Sequence, residues 1–350
     1  MSNKQHFHVF LIVVLSFLTA CGGTVSEPTP EPKLKVGVVL NSVNENDKSF
    51  NEYTLKGAQE VAEEMGLEFT YVASAAAEDY GQNIQTLITE GNDLIITVGF
   101  LFGDATAKAA RKNPNVHFAI VGNAYFPGFG CADTVSDCYS VEGGLTNVTS
   151  LMFAEDEVGY LAGVLAACMS ETGTIASVAG MEIPPVIGFV TGYQNGAKQF
   201  NPDIVTLNKH IPDFDDPDTG KVIGQDFISQ NADVIFGVGG NTGNGGLLAA
   251  KEAGHMAIGV DVDQYFTYPE VREVLISSAS KKVDIASGNA VRKFANGELN
   301  AGIELATLKS GGVGLAPYHD WEDKIPQNCK DAVKSAEDAI IADSTITGGK

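Results

Sequence analysis

The chain has 350 residues, 44% of them hydrophobic, and this length is typical of two domains rather than one. Its formal net charge of −22, from 44 acidic and 22 basic residues, repels phosphate backbones and argues against nucleic acid as a partner. Solubility in a salty exterior also explains this acidity, and the charge therefore indicates no particular ligand.

The first twenty residues are typical of a secretory signal peptide. One lysine precedes an apolar run from Phe7 to Leu18, and small residues follow it. The run is too short to span a bilayer comfortably as a mature helix. We therefore assign residues 1–20 to a signal peptide and exclude them from the fold.

The residues around Cys21 resemble a bacterial lipobox, Leu-Thr-Ala-Cys. This resemblance implies that Cys21 becomes the acylated first residue of the mature chain; the alternative is an ordinary cleavage site beside an unrelated cysteine. Residues 21–33 are rich in Gly, Pro and Glu and lack apolar periodicity, so they are predicted to form a flexible tether. The expected location is the cell membrane, with the chain lipid-anchored on the extracytoplasmic side.

After the tether, apolar strands alternate with amphipathic helices. A strand is predicted at 33–40 and a helix at 50–66, and the alternation continues to a strand at 116–122. This βαβαβαβ series predicts a parallel sheet wrapped by helices. A loop predicted at 123–144 then interrupts the series.

The alternation restarts with a helix at 155–170 and runs to a strand at 274–281. A helix at 283–297, short strands and a last helix at 328–343 complete the chain. Two successive α/β sheets with a late return segment predict two lobes, a hinge and a ligand cleft between the lobes.

The lobe boundaries follow from the same pattern. The N-terminal lobe is predicted to comprise residues 34–150 plus 283–318. The C-terminal lobe is predicted to comprise residues 151–282 plus 319–345.

The chain contains five cysteines, and four remain if Cys21 carries lipid. Cys131 and Cys138 flank a loop-like stretch and could close a small disulfide ring that contributes about 2 to 3 kcal/mol. Cys168 and Cys329 either pair across the fold or remain buried thiols. No Cys/His cluster indicates a metal site, and no cofactor is expected.

Phe50 follows the polar turn after the first strand, where the cleft is expected. Asp47 or Ser49 is predicted to cap the helix that begins there. Capping does not account for the aromatic ring, which could stack on a planar ligand and contribute about 1 to 3 kcal/mol for a base. The alternative is that Phe50 packs under the loop as a hydrophobic staple or core residue.

The glycine-rich run 237–246 is another candidate, because it follows a predicted strand. Neither a phosphate-binding nor a dinucleotide-binding motif is present, so a close turn lining the cleft is the favoured interpretation. Asn241, Thr242 and Asn244 could add hydrogen bonds from this turn.

Charged residues follow two later strands. Asp261 could accept two hydrogen bonds from a vicinal diol, or cap the next element. Lys281 or Lys282 could reach a ligand hydroxyl and balance Asp261, or remain a solvated surface residue.

Enzymatic motifs are missing from the sequence. It contains no G-x-S-x-G elbow, no H-E-x-x-H and no compact Ser/His/Asp or Cys/His set. The chain is therefore predicted to be a binding protein and not an enzyme, and a surface hydrolase or nucleosidase is the rival prediction.

Six blocks, taken together in their order and spacing, resemble the basic membrane protein family over residues 34–320: NDKSFNEYTLKG, DLIITVGF, DEVGYLAGVLAA, GNTGNG, AIGVDVDQ and SSASKK. The members are bacterial lipoproteins of the purine-nucleoside-binding type, which serve as extracytoplasmic receptors of nucleoside ABC transporters. The resemblance implies an α/β type I periplasmic-binding-protein fold, a purine nucleoside as small-molecule ligand, an ABC permease as membrane partner, and a monomer. A sensor of the same fold that feeds a signalling partner, or a binder of another small polar ligand, is the alternative.

The family holds the purine between aromatic side chains and the ribose by charged groups. The resemblance therefore implies that Phe50 stacks on the base and that Asp261 and Lys281 bind the ribose. Phe214 is preferred to Phe227 as the second aromatic wall because it lies in a loop. The implied ligand-binding residues are Asn41, Ser42, Phe50, Asn51, Gly122, Asn123, Phe214, Gly240, Asn241, Thr242, Gly243, Asp261 and Lys281.

Two positions depart from the family pattern. Asn41 ends the first strand, and Gly122 and Asn123 follow FAIV, where the family commonly has Asp at both places. Both positions face the base in the family. Asn41 and Asn123 could still pair with a purine edge, since an amide both donates and accepts. They would favour a different pattern of ring substituents, or a different ligand.

Overall fold

Two six-stranded sheets form the framework of residues 33–349, the part of the chain that the computed structural model describes. The proposed signal peptide, Cys21 and nearly all of the tether lie outside the described residues and stay predictions. We call the first sheet with its helices lobe 1 and the second sheet with its helices lobe 2.

The first part of the described chain builds most of lobe 1. Its elements are β1 (Lys35–Leu40), α1 (Phe50–Glu64), β2 (Glu68–Ala73), α2 (Tyr80–Thr89), β3 (Leu94–Val98), α3 (Gly103–Lys112), β4 (His117–Val121), β5 (Phe126–Pro127), β6 (Gly130–Cys131) and β7 (Val148–Phe153).

The middle part builds lobe 2. Its elements are α4 (Glu155–Met169), β8 (Thr174–Ala179), α5 (Pro184–Phe200), β9 (Val205–His210), α6 (Pro217–Ser229), β10 (Val234–Val238), α7 (Gly240–Ala253), β11 (Met256–Asp261), α8 (Gln264–Thr267) and β12 (Leu275–Lys281). The last part returns to both lobes with α9 (Val283–Ala295), β13 (Gly302–Ala306), β14 (Val313–Leu315) and α10 (Gln327–Ala342).

Both sheets are parallel apart from one edge strand. The strand order is β13-β7-β4-β3-β1-β2 in lobe 1 and β14-β12-β11-β10-β8-β9 in lobe 2, where β14 runs antiparallel to β12. The central strands β3, β8 and β10 are buried along their whole length, because helices cover both faces of a parallel sheet. The predicted α/β fold with two parallel-sheet lobes is confirmed.

The chain crosses between the sheets after β7, after β12 and again between β13 and β14 within residues 33–349. The sequence interpretation missed β7 because this strand follows a long loop and carries polar residues among its apolar ones. The lobe 1 sheet therefore extends to Phe153 and not to residue 150. The pairing of β14 with β12 also places residues 313–315 in the lobe 2 sheet, although the predicted N-terminal lobe ran to 318.

Two disulfides stabilise the part of the fold within residues 33–349. Cys131 and Cys138, with Cα atoms 5.4 Å apart, close the small ring in lobe 1. Cys168 on α4 joins Cys329 on α10, with Cα atoms 5.6 Å apart, and so fixes the last helix to lobe 2. No helix in residues 33–349 combines the length and apolar character needed to cross a bilayer.

Candidate functional site

A pocket lies between the lobes at the carboxyl ends of both sheets. It encloses about 740 Å³ of space, including the part open to solvent. Both lobes line it, so a ligand held there touches both. Ten of the predicted ligand-binding residues line this pocket: Asn41, Ser42, Phe50, Asn51, Gly122, Phe214, Gly240, Asn241, Asp261 and Lys281.

Asn123, Thr242 and Gly243 do not line the pocket, and the structure corrects their predicted role as ligand contacts. Asn123 is 1% exposed and packs against Gly103. The hydroxyl of Thr242 donates to the Asp213 carbonyl at 2.9 Å and accepts from the Asp216 amide at 3.0 Å.

The glycine-rich run 237–246 was predicted to be a close turn, and this prediction is wrong. The helix α7 begins at Gly240, so most of the run is helical. The sharp change of direction is confined to Gly239 and Gly240, whose φ angles are 105° and 57°. Gly243 therefore lies in the first turns of a helix and packs against the backbone of Val238.

Phe50 forms the aromatic wall of lobe 1. It is half-buried and is the first residue of α1, so its position depends on how this helix begins. A Cβ added at Gly99 or Gly122 would lie 3.7 Å from its ring, so the ring lies over the ends of two neighbouring strands. Phe50 thus lines the pocket, and it also packs against the hydrophobic core, as the alternative expected.

Asp47 caps α1, whereas the Ser49 side chain makes no capping hydrogen bond. The Asp47 carboxylate accepts backbone N–H groups of Ser49 at 3.0 Å, Asn51 at 2.9 Å and Glu52 at 3.2 Å. It also accepts the side-chain amide of Asn51 at 3.0 Å. All of these bonds fix the helix start that carries Phe50.

Burial raises the pKa of Asp47 to about 6 in spite of these hydrogen bonds. We expect the free energy of unfolding contributed by this group to be largest below its ordinary pKa of 3.8 and to fall as the pH rises through 6. The pKa rises by about two units, and each unit corresponds to about 1.4 kcal/mol, so the free energy of unfolding falls by about 3 kcal/mol over this pH range. Urea unfolding of the wild type and Asp47→Asn between pH 4 and pH 7.5 measures it. If the difference between the two proteins does not change with pH, the Asp47 carboxyl does not titrate in this way.

Phe214 provides the aromatic wall of lobe 2. It follows β9 and lies against Gly180, where an added Cβ would be 2.5 Å from its ring. Phe50 and Phe214 both line the pocket, one from each lobe. Phe227, the other predicted candidate, is only 7% exposed and belongs to the core of lobe 2.

The apolar lining beside Phe214 was not predicted. It comes from the loop before α5 and the first turns of that helix, together with two strand ends, and consists of Ile183, Pro185, Val186, Phe189, Val238 and Val260. The sequence presented α5 as an ordinary amphipathic helix, so no local signal marked these residues as ligand-facing.

A buried trio of charged side chains lies at the pocket beside the Phe50 ring. Lys281 Nζ is 3.4 Å from Asp261 Oδ1 and 3.3 Å from Glu155 Oε1. Asp261 pairs in register with Ser280 on the neighbouring parallel strand, so Lys281 follows directly beside it. Glu155 begins α4 just after the first crossing between the lobes, and it was not predicted. Lys282 is exposed, so of the two candidate lysines Lys281 points inward.

The trio combines one ammonium group with two carboxyl groups. Burial by itself lowers the pKa of Lys281, but Asp261 and Glu155 more than offset it, so the pKa is raised and the lysine stays charged. Burial raises the pKa of Glu155, and Asp261 adds to this effect while Lys281 opposes it. Because one ammonium faces two carboxylates, Asp261 keeps acceptor capacity for ligand hydroxyl groups.

Lys281 also contacts the aromatic side chains that line the pocket. Its Nζ lies 4.7 Å from the Phe50 ring centroid and 5.2 Å from that of Phe189. Cation–π contacts of this kind stabilise a buried ammonium. No group of three or more metal-ligating side chains is found in residues 33–349.

This combination of fold and pocket defines a two-lobed solute-binding protein of the periplasmic-binding-protein type. A solute-binding protein of an ABC transporter system from Aeropyrum pernix K1 has a similar structure, with a TM-score of 0.78 and 26% sequence identity over 88% of this chain and 91% of that one. An ABC solute-binding protein from Conexibacter woesei shares the fold, with a TM-score of 0.66 and 18% identity over 88% of this chain and 96% of that one.

The chain belongs to the Bmp family, described as PnrA-like ABC transporter substrate-binding proteins, whose model matches residues 33–347. It is 32% identical to the ABC transporter nucleoside-binding protein BmpA of Lactococcus lactis, over 90% of this chain and 88% of that one. It is 31% identical to basic membrane protein A of Borreliella burgdorferi, over 88% of this chain and 86% of that one. An uncharacterized lipoprotein of Pyrococcus furiosus is 30% identical over 87% of this chain and 75% of its own length. The family resemblance found in the sequence is confirmed.

Proposed function

We propose that this ABC transporter substrate-binding protein binds a purine nucleoside in the pocket between its lobes. The observation that carries the proposal is that one pocket joins two aromatic walls, Phe50 and Phe214, to a buried carboxylate and lysine, Asp261 and Lys281. A flat base fits the first pair by stacking, and a vicinal diol fits the second by charge-assisted hydrogen bonds. The Lactococcus relative is named as a nucleoside-binding protein, which supports this ligand class.

The polar groups near Phe50 suit a neutral base. Asn41, Ser42 and Asn51 line this end of the pocket, and the Asp47 carboxylate beside them already accepts four hydrogen bonds. The base therefore meets amides and a hydroxyl, which both donate and accept. Asn41 stands where the family commonly has a carboxylate, so its amide would read a different pattern of ring substituents.

Binding by lobe closure needs no chemical step. A ligand that contacts both lobes favours the closed state by its extra affinity for that state. The closed receptor, as a monomer, then presents the ligand to a membrane permease. A sensor that passes closure to a signalling partner would use the same pocket.

Calorimetry of the full-length protein with nucleosides, bases, ribose and amino acids tests the proposed ligand. We expect adenosine, inosine or guanosine to bind at least ten-fold more tightly than ribose or the free bases. Preferential binding of an amino acid or a sugar would contradict the proposal. Sustained release of free base from inosine would show that the chain is instead a nucleosidase.

Lipid anchoring through Cys21 rests on the sequence and on relatives that are named lipoproteins. We expect Cys21→Ala to move the protein from the membrane fraction to the soluble fraction, because acylation of this residue is proposed to hold it. Immunoblots of separated fractions measure this. The partly buried residue Cys131 lies in a disulfide and cannot substitute as an anchor. Continued membrane association of the variant would contradict the anchor.

A further inference from the structure

One loop of lobe 1, residues 41–49, is hydrogen-bonded by lobe 2. The side-chain amide of Asn244 donates to the carbonyl of Asp47 at 3.1 Å. The hydroxyl of Thr267 donates to the carbonyl of the next residue, Lys48, at 2.7 Å. Two successive backbone carbonyls on one lobe are therefore held by two side chains of the other lobe, directly before Phe50.

The backbone of this loop has an unusual conformation at Lys48. Lys48 has a φ of 60°, a left-handed conformation that non-glycine residues rarely adopt. Its side chain extends toward lobe 2, with Nζ 5.1 Å from the Tyr268 ring centroid and 3.9 Å from Glu270. Contacts with the other lobe thus accompany an unusual backbone conformation.

On the lobe 2 side, Asn244 is held in place by buried hydrogen bonds that run through Gln264. Its Oδ1 accepts the side-chain amide of Gln264 at 2.8 Å, and Gln264 Oε1 accepts the backbone N–H of Val260 at 2.9 Å. Gln264 is fully buried, and Asn244 is 5% exposed. These bonds fix which side of the Asn244 amide faces lobe 1, and they connect it to the strand end that presents Asp261.

We propose that Asn244 and Thr267 are positioning residues that, on closure, fix the loop that leads into Phe50. We call these two side chains and the carbonyls of Asp47 and Lys48 the clasp. Opening the lobes separates both donors from their acceptors, so the clasp belongs to the closed state only. It orients the aromatic wall against the ligand and slows reopening without touching the ligand.

The test compares three substitutions of similar chemistry. Thr267→Val removes the interlobe hydroxyl at nearly constant volume, and Thr267→Ser restores it. Thr149→Val is the matched control, because the Thr149 hydroxyl also donates to a carbonyl at 2.7 Å, but to Asn300 within lobe 1. A closure effect should appear in Thr267→Val alone.

A ligand-independent measurement uses the side chains of Asn44 and Asp215, which hydrogen-bond across the pocket mouth at 3.1 Å. With both replaced by cysteine, the rate of bridging by a short bifunctional thiol reagent reports the closed fraction. We expect Thr267→Val to slow bridging about 3- to 10-fold. This is the change in the closed population that corresponds to the free energy of one typical hydrogen bond. Thr267→Ser and Thr149→Val should leave the rate within two-fold.

Stopped-flow binding of adenosine provides the second measurement and rests on the proposed function. Thr267→Val should raise the dissociation rate constant about 3- to 10-fold and leave the association rate constant within two-fold. Unchanged bridging in Thr267→Val, or an equal change in Thr149→Val, would overturn the clasp. If adenosine and the other nucleosides fail to bind, the proposed ligand is wrong, and the bridging rates alone decide on the clasp.

Discussion

Replacing Phe50 with alanine is expected to weaken nucleoside binding ten-fold or more. The ring lines the pocket over the ends of β3 and β4, and stacking on a base contributes about 1 to 3 kcal/mol. The variant also loses the contact between the ring and Lys281, 4.7 Å from its centroid, so the ammonium is less firmly placed. Calorimetry with adenosine or inosine measures the change.

Phe50→Leu is the control for this result, since leucine retains apolar volume but offers no flat face. We expect its affinity to lie between those of the alanine variant and the wild type. Thermal unfolding without ligand should show both variants folded, because Asp47 still caps α1 in each. Wild-type affinity in Phe50→Ala would show that the ring packs the loop and does not contact the ligand.

The sequence predicted the fold well because its signals are local. Buried strands such as β10 are continuous apolar runs, and the helices between them have a regular apolar period. The errors occur where that local signal is weak. The strand β7 mixes polar and apolar residues, and the three-residue strand β14 is too short to show a period.

Strand ends also made part of the site predictable. Parallel strands end at one edge of a sheet, so Asp261 and Lys281 on neighbouring strands were expected near each other. The glycine-rich run was placed correctly at the pocket but read as a turn. Glycine is a poor helix former, yet here the first turns of α7 need small residues to pack closely.

The partners of these residues could not be predicted, because they are distant in sequence. Glu155 lies 126 residues from Lys281, and Asn244 lies 197 residues from the Asp47 carbonyl to which it donates. The first pair forms within lobe 2 and the second joins the two lobes, and no local sequence pattern encodes either contact. Asp47 and Ser49 were both candidate caps for α1, and the hydrogen bonds of the folded loop select Asp47.

Asp261→Asn is expected to reduce the affinity for ribonucleosides ten-fold or more and to leave the affinity for free bases nearly unchanged. Charge-assisted hydrogen bonds contribute about 1.5 to 3 kcal/mol, and the substitution removes that charge from the diol-facing end. Asparagine is the appropriate replacement because Asp261 has a φ of 66°, a conformation that asparagine tolerates. Asp261→Ala should show the same preference with a larger loss.

The substitution leaves the buried lysine paired. Lys281 keeps Glu155 at 3.3 Å, so no ammonium is buried without a partner. A loss of affinity therefore reports the interaction with ligand and not a collapsed site. Calorimetry with adenosine, 2′,3′-dideoxyadenosine and adenine separates the contributions. The wild type should discriminate against the dideoxynucleoside, and Asp261→Asn should lose most of this discrimination. An equal loss for all three compounds would mean that Asp261 organises the pocket without reading the sugar.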